Sequence, residues 1–186
     1  MRVWLLICLW LCACSQPAWH ALEVRGKLPD LAFTLTDTQG NTVRGEDFRG
    51  RITLLFTGFT HCPGVCPATL ARLATVLEGI EGSRGRIQVL FVSLDPERDT
   101  PEVLSAYVRQ FGPWFIGLTG TQAQLADLSR RYFLAYEKLP ATSGEYDILH
   151  SSQVLVFDRQ GQARLLVPQD LAPQDLKADL QRLLEE

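Results

Sequence analysis

The sequence predicts a single α/β domain built on a helix-covered, largely parallel sheet. Two continuous apolar runs, Ile-Thr-Leu-Leu-Phe at 52–56 and Ile-Gln-Val-Leu-Phe-Val-Ser-Leu at 87–94, have the composition of strands buried on both faces. Between them Leu70, Leu73, Ala74 and Leu77 recur at helical spacing, so the segment reads as a strand-helix-strand unit with a crossover. Near the C-terminus, runs at 153–157 and 163–167 flank the turn Asp158-Arg159-Gln160-Gly161, an antiparallel hairpin. A chain of 186 residues, 46% hydrophobic, holds one such domain and little more.

Residues 1–20 read as a targeting segment. One positive charge at Arg2 precedes an apolar run from Val3 to Ala13, which is shorter than the ~20 residues that span a bilayer. The leader ends Leu11-Cys12-Ala13-Cys14-Ser15, the pattern of a bacterial lipobox, in which Cys14 would take the lipid. Residues up to about 27 would then be a tether, with 21–27 free of the domain at 28–186, and the lipid would anchor it to a membrane. The alternative is an ordinary signal peptide cleaved near Ala18 or Ala21. Either way the domain faces an exported compartment, where a structural disulfide is the default fate of two cysteines. The net charge of −3, with 18 scattered Lys and Arg residues, lacks the basic footprint of a nucleic-acid partner.

The elements follow in order. Alternation from Leu31 through Asp37, a turn at Gln39-Gly40-Asn41 and Thr42-Val43 predict a short N-terminal hairpin. After the first buried strand comes His61-Cys62-Pro63-Gly64-Val65-Cys66-Pro67, and Pro67 suits a helix start at or just after Cys66. That helix ends at Gly79 and Gly82. The second buried strand is followed by Asp95-Pro96-Glu97-Arg98-Asp99-Thr100-Pro101, in which Thr100 and Pro101 cap a helix carrying Leu104, Tyr107, Val108 and Phe111. A glycine-containing segment, 117–120, separates this from a helix capped by Thr121 that reaches about Arg131. The C-terminal hairpin and an amphipathic helix bearing Leu176, Leu180, Leu183 and Leu184 close the chain. Strand, cysteine loop, helix, strand, helix, hairpin, helix is the order of a thioredoxin-like fold. The N-terminal hairpin is an extension of it, and residues 121–148 are an insertion before the C-terminal hairpin.

Cys62 and Cys66 are the only cysteines outside the leader, and they sit at the carboxyl end of a buried strand, where open α/β sheets place their sites. Three residues separate them, so the sulfurs share a face if both positions are helical. A helix start favours the thiolate, which serves both disulfide exchange and metal binding, and the position alone does not choose between them. A disulfide closing so small a ring would constrain little of the unfolded chain, which weakens the structural reading. His150 lies before the strand of the C-terminal hairpin, beside the helix that follows the cysteines in a thioredoxin-like fold. Its bland reading is a structural histidine at a strand end. Its functional reading is a third ligand: two thiolates and an imidazole suit copper, most naturally Cu(I), with Cu(II) also accessible, whereas zinc usually takes four ligands. His20 falls in the tether. His61, next to Cys62, points away in an extended segment and has at most a supporting part or a transient contact with copper.

Four stretches together resemble the SCO/SenC family of copper-binding assembly proteins of respiratory membranes. They are residues 59–67 (Phe-Thr-His-Cys-Pro-Gly-Val-Cys-Pro), 93–102 (Ser-Leu-Asp-Pro-Glu-Arg-Asp-Thr-Pro-Glu), 115–120 (Phe-Ile-Gly-Leu-Thr-Gly) and His150-Ser151-Ser152. The resemblance covers roughly residues 28–185. It implies a thioredoxin-like domain at the periplasmic face of the bacterial inner membrane, binding one copper through Cys62, Cys66 and His150. It also implies an upstream copper donor and, as client, cytochrome c oxidase subunit II or another cuproprotein. Delivery of copper and reduction of the client's cysteines are both roles it implies, so a thiol:disulfide oxidoreductase using Cys62 and Cys66 stands as the alternative. A peroxidase is a weaker third, since the paired-cysteine loop does not resemble a peroxidatic site. Asp95 and Arg98 match signature positions and are expected either to shape the loop facing the site or only to brace the next helix. Two departures are Gly64 and Leu149, where the family often has acidic residues.

Overall fold

The computed structural model describes residues 18–140 and 146–186. The strands are β1 (Leu22–Glu23), β2 (Thr34–Asp37), β3 (Thr42–Arg44), β4 (Ile52–Gly58), β5 (Ile87–Ser93), β6 (Phe115–Thr119), β7 (Tyr136–Pro140), β8 (Tyr146–His150), β9 (Val154–Phe157) and β10 (Ala163–Val167). The helices are α1 (Val65–Glu78), α2 (Pro101–Arg109), α3 (Gln122–Tyr132) and α4 (Pro173–Glu185). One sheet runs in the order β1-β10-β9-β4-β5-β6-β2-β3, with β4, β5 and β6 parallel at its centre. The architecture is the expected thioredoxin-like one.

The parallel strands are buried on both faces because helices cover both. Ile52, Leu54, Phe56, Val89 and Phe91 pack with residues of α1, α2 and α4, while Leu55, Leu90 and Val92 pack with residues of α3. The caps read from sequence form: the Thr100 hydroxyl accepts the Val103 N–H at 3.4 Å, and Thr121 and Gln124 make a reciprocal box.

Four features differ from the sequence reading. The segment at 117–120 is not a linker: Phe115–Thr119 is a strand beside β5. A Cβ on Gly117 would lie 2.7 Å from Cγ of Leu104, so this glycine marks where α2 presses onto the sheet. The insertion also contains a hairpin, since β7 and β8 form their own two-stranded sheet. Its polar, half-exposed strands carry no buried-strand signature, and His150 closes β8 instead of lying in a loop. Helix α1 starts at Val65, two residues before Pro67, because proline is as acceptable in the first turn as at its first position.

Finally, residues 21–27 are part of the domain and not a free tether. β1 pairs with β10, and Ala21 and Val24 are buried. The cause is Asp179 of α4, a buried carboxylate that accepts the backbone N–H groups of His20 (3.1 Å) and Ala21 (2.8 Å) and the His20 ring at 2.9 Å. Trp19 lies against Arg182, 3.8 Å from guanidinium carbon to ring centre. Cys14 lies outside the described residues. Among those described, no helix is long and apolar enough to cross a membrane.

Candidate metal centre

Strand β4 delivers the chain to a loop, Phe59 through Gly64, that climbs into α1. Cys62 N–H bonds the Phe59 carbonyl at 3.3 Å, which turns the loop back toward the helix. Cys66, inside the first turn, has one of the N–H groups that no helical carbonyl can accept, and it donates to Cys62 Sγ at 3.4 Å. Pro67 contributes no such donor. The local sequence thus aims a helix-start N–H at a partly exposed sulfur.

Cys66 is fully buried. Burial pushes its thiol well above the ordinary range, outweighing a backbone hydrogen bond at Phe59 that favours the thiolate. In the metal-free protein Cys66 is therefore a neutral thiol. Its sulfur occupies the space that glycine leaves at position 58: a Cβ there would stand 2.5 Å from Sγ and 2.9 Å from the Phe91 ring. Gly58→Ala is accordingly expected to displace Cys66 or Phe91 and to cost ~1–3 kcal/mol of stability. Thermal melting with timed alkylation of Cys66 checks this: a lower midpoint and faster labelling are expected, and an unchanged pair would refute the packing argument.

His150 reaches the cysteines from β8. Its Nε2 lies 3.3 Å from Cys66 Sγ, and its Nδ1 lies 2.9 Å from the carbonyl oxygen of Ser151, which can only accept. Nδ1 therefore carries the proton, and Nε2 presents its lone pair to the sulfur. Phe56 and Phe59 stand edge-on to the ring at 6.0 and 5.9 Å. Burial lowers the imidazole's proton affinity, against the opposing pull of the Ser151 carbonyl and Asp147. The neutral, ligating form is the one the site favours.

The donor atoms of Cys62, Cys66 and His150 all lie within 4.8 Å of one another. Two sulfurs and one nitrogen at that separation can close on a single soft ion with small side-chain movements. A cleft of about 380 Å³ opens above them, walled by Phe59, Pro63, Val65 and Leu149. Leu149 is 61% exposed and adds apolar surface to this rim, which Asp147, Ser152 and Gln169 also line.

The remaining sequence candidates sit around the centre. His61 points elsewhere, with Nδ1 3.2 Å from the Thr60 hydroxyl and 3.6 Å from Asp99. His20 is bound to Asp179, as described. Asp95 and Arg98 bond each other and supply none of the three clustered donors. His61, Asp95 and Asp99 form a second cluster of ligating types, but both carboxylates are committed internally. Asp95 accepts from Arg98 and Tyr146, while Asp99 accepts from the Thr60 N–H (2.9 Å), the Thr60 hydroxyl (2.6 Å) and Ser93 (2.5 Å). Asp99 thus pins the start of the cysteine loop, a part that its place before a capping threonine did not reveal.

The chain matches the SCO1/SenC family model over residues 25–185. It is 34% identical to an SCO2-like protein of Rickettsia prowazekii over 131 residues, covering 69% of this chain and 64% of that one. It is 39% identical to the mitochondrial SCO2 homologue of Bos taurus over 132 residues, covering 69% and 50%. The chain thus spans less than two thirds of the length of these relatives. Among solved structures it resembles copper-bound ScoI of Bradyrhizobium japonicum, with a TM-score of 0.75, 34% identity and coverage of 83% and 98%. It also resembles apo Sco1 of Thermus thermophilus, with a TM-score of 0.78, 36% identity and coverage of 91% and 99%. With the family model matched across nearly the whole described domain and these relatives agreeing in sequence and fold, the chain belongs to the SCO1/SenC family.

Proposed function

We propose that this protein is a copper metallochaperone that holds one copper through Cys62, Cys66 and His150 and passes it to a binuclear copper site such as that of cytochrome c oxidase subunit II. The observation that carries this reading is His150 Nε2 at 3.3 Å from Cys66 Sγ, its other nitrogen occupied by Ser151. Two soft thiolates and an imidazole suit Cu(I), and no fourth protein donor joins the cluster among the described residues. A three-donor site beneath an open cleft leaves one side from which a client's ligand can enter. Copper thereby moves by ligand exchange, taken from an upstream donor and released to the client.

Anaerobic titration of the reduced protein tests the reading: saturation at one copper per chain supports it, and absence of saturable uptake ends it. Copper must also displace the Cys66 proton, since burial keeps that thiol protonated in the free protein. Each displaced proton raises the apparent affinity about tenfold per pH unit. In a competition titration from about pH 6.5 to 8.5 the affinity is expected to climb at least that steeply, and a flat profile would contradict the assignment of Cys66 as a ligand.

A second reading is favoured by the asymmetry of the pair, Cys62 partly exposed and Cys66 buried. Such a dithiol can attack a client disulfide with Cys62 and resolve the mixed disulfide with Cys66, giving the client two electrons and two protons and closing its own disulfide. This exchange does not use the imidazole, whereas copper binding is strengthened by it.

The place of action in this reading is the periplasmic face of the inner membrane, with a lipid on Cys14. Only residues 15–18 would separate that lipid from the fixed Trp19, a reach of at most ~18 Å. Fatty-acid labelling lost in Cys14→Ser supports the anchor, and unchanged labelling removes it.

A further inference from the structure

His150 is carried by a hairpin that makes no ladder hydrogen bonds to the main sheet, since β7 and β8 pair only with each other. Ser151 N–H bonds the Ala135 carbonyl and Ala135 N–H bonds the Ser151 hydroxyl, both at 2.9 Å, which only prolongs the pairing of the hairpin's own two strands. The hairpin's position must come from other attachments, and two are visible. In the middle, Ile148 is buried. At the far end, Tyr146 is gripped by the loop that follows β5. Its hydroxyl donates to Asp95 Oδ1 at 2.5 Å, and its carbonyl accepts from Arg98 Nη1 at 3.0 Å. Its ring lies 3.9 Å below the Arg98 guanidinium and 4.4 Å from the Lys138 ammonium, which itself reaches Glu97 at 2.8 Å. Arg98 closes the arrangement by donating through Nε to Asp95.

We propose that Asp95, Arg98 and Tyr146 form a clasp that positions β8, and through it His150, over the two cysteines. These are positioning residues, touching no donor atom of the centre. Their effect reaches the imidazole by two routes. One is β8 itself, four residues or ~13 Å of stiff extended chain from Tyr146 to His150. The other is Phe59, whose ring lies 5.8 Å from the Arg98 guanidinium and stands edge-on to His150. The carboxylate of Asp95 is fully buried and bonded by both partners, a geometry in which one arrangement of the hairpin is strongly preferred, because any other strands a buried charge. This explains why the loop after β5 carries Asp95 and Arg98 three residues apart, beyond any need of capping α2, which Thr100 already meets.

The inference rests on the proposed role of His150 as a ligand, and its test separates the two. Tyr146→Phe keeps the ring beside Arg98 and Lys138 and removes the hydroxyl's bonds to Asp95 and, at 3.4 Å, to Glu97, and Arg98→Lys removes the planar fork while keeping the charge. Removing such an indirect support of a metal ligand is expected to lower copper affinity about tenfold. In a His150→Ala background the same substitutions should have no further effect. Equal losses in both backgrounds would show general destabilisation and overturn the clasp, as would full affinity in both single variants. The second arm needs no copper: ring proton and nitrogen resonances of His150 in the metal-free variants should shift and broaden, with the amide of Leu70 in α1 unmoved. If these resonances change while the wild type takes up no copper, the clasp stands and the metallochaperone reading falls. If they stay put, the clasp falls.

Discussion

Cys66→Ser is expected to eliminate saturable copper uptake while leaving the fold intact. The substitution removes the sulfur that meets His150 Nε2 and keeps the backbone N–H that reaches Cys62 Sγ, so the loss is one of a ligand and not of the loop's own hydrogen bond. A serine oxygen is a hard, neutral donor that does not ionise under these conditions, so the soft site loses a charge as well as a ligand. The affinity should fall by about ten-thousandfold or more, ~5.5 kcal/mol, well beyond the loss from removing the imidazole alone. Because a hydroxyl buried against Phe91 destabilises by itself, by ~1–3 kcal/mol, Cys66→Ala is the companion variant. Both should fail to bind copper in titration while keeping far-UV dichroism. Uptake by either at wild-type affinity would remove Cys66 from the ligand set.

His150→Ala gives the second large effect, and it separates copper from thiol chemistry. Two thiolates can still hold Cu(I), so uptake should persist but weaken by about a hundredfold, ~2.7 kcal/mol. Cu(II), which favours nitrogen, should lose more. Reduction of a model disulfide by the dithiol should change little, since no electron passes through the imidazole. The opposite split, unaltered copper affinity with crippled disulfide reduction, would favour the oxidoreductase reading. Loss of the ring also opens space between Phe56 and Phe59, so melting must accompany the titration.

The outline of this site is legible in sequence for a physical reason. Few residue types bind soft metal ions, and the chain holds only two cysteines beyond the leader and three histidines. The buried parallel strands announce themselves as apolar runs, and the position of the cysteine loop follows from where β4 ends. The parts that escape such reading depend on contacts between distant residues. Gly117 looks like a linker until Leu104 is seen to occupy the place of its side chain. β7 and β8 read as loop because their strands meet solvent, and the ends of β8 carry both the clasp and the imidazole. Asp99 and Asp179 are ordinary acidic residues in a helix lead-in and a helix. Each becomes structural only through N–H groups that the fold brings from 39 and 158 residues away. The stretch 21–27 looked like a tether for the same reason, since nothing local signals that Asp179 awaits it.

X-ray absorption at the copper edge of the protein loaded with one equivalent of Cu(I) tests the central claim most directly. The account predicts a three-coordinate copper with two sulfur neighbours and one imidazole nitrogen, and loss of the nitrogen signal in His150→Ala. A copper surrounded by sulfur alone, bridging two chains, or a spectrum unaltered by His150→Ala, would contradict it.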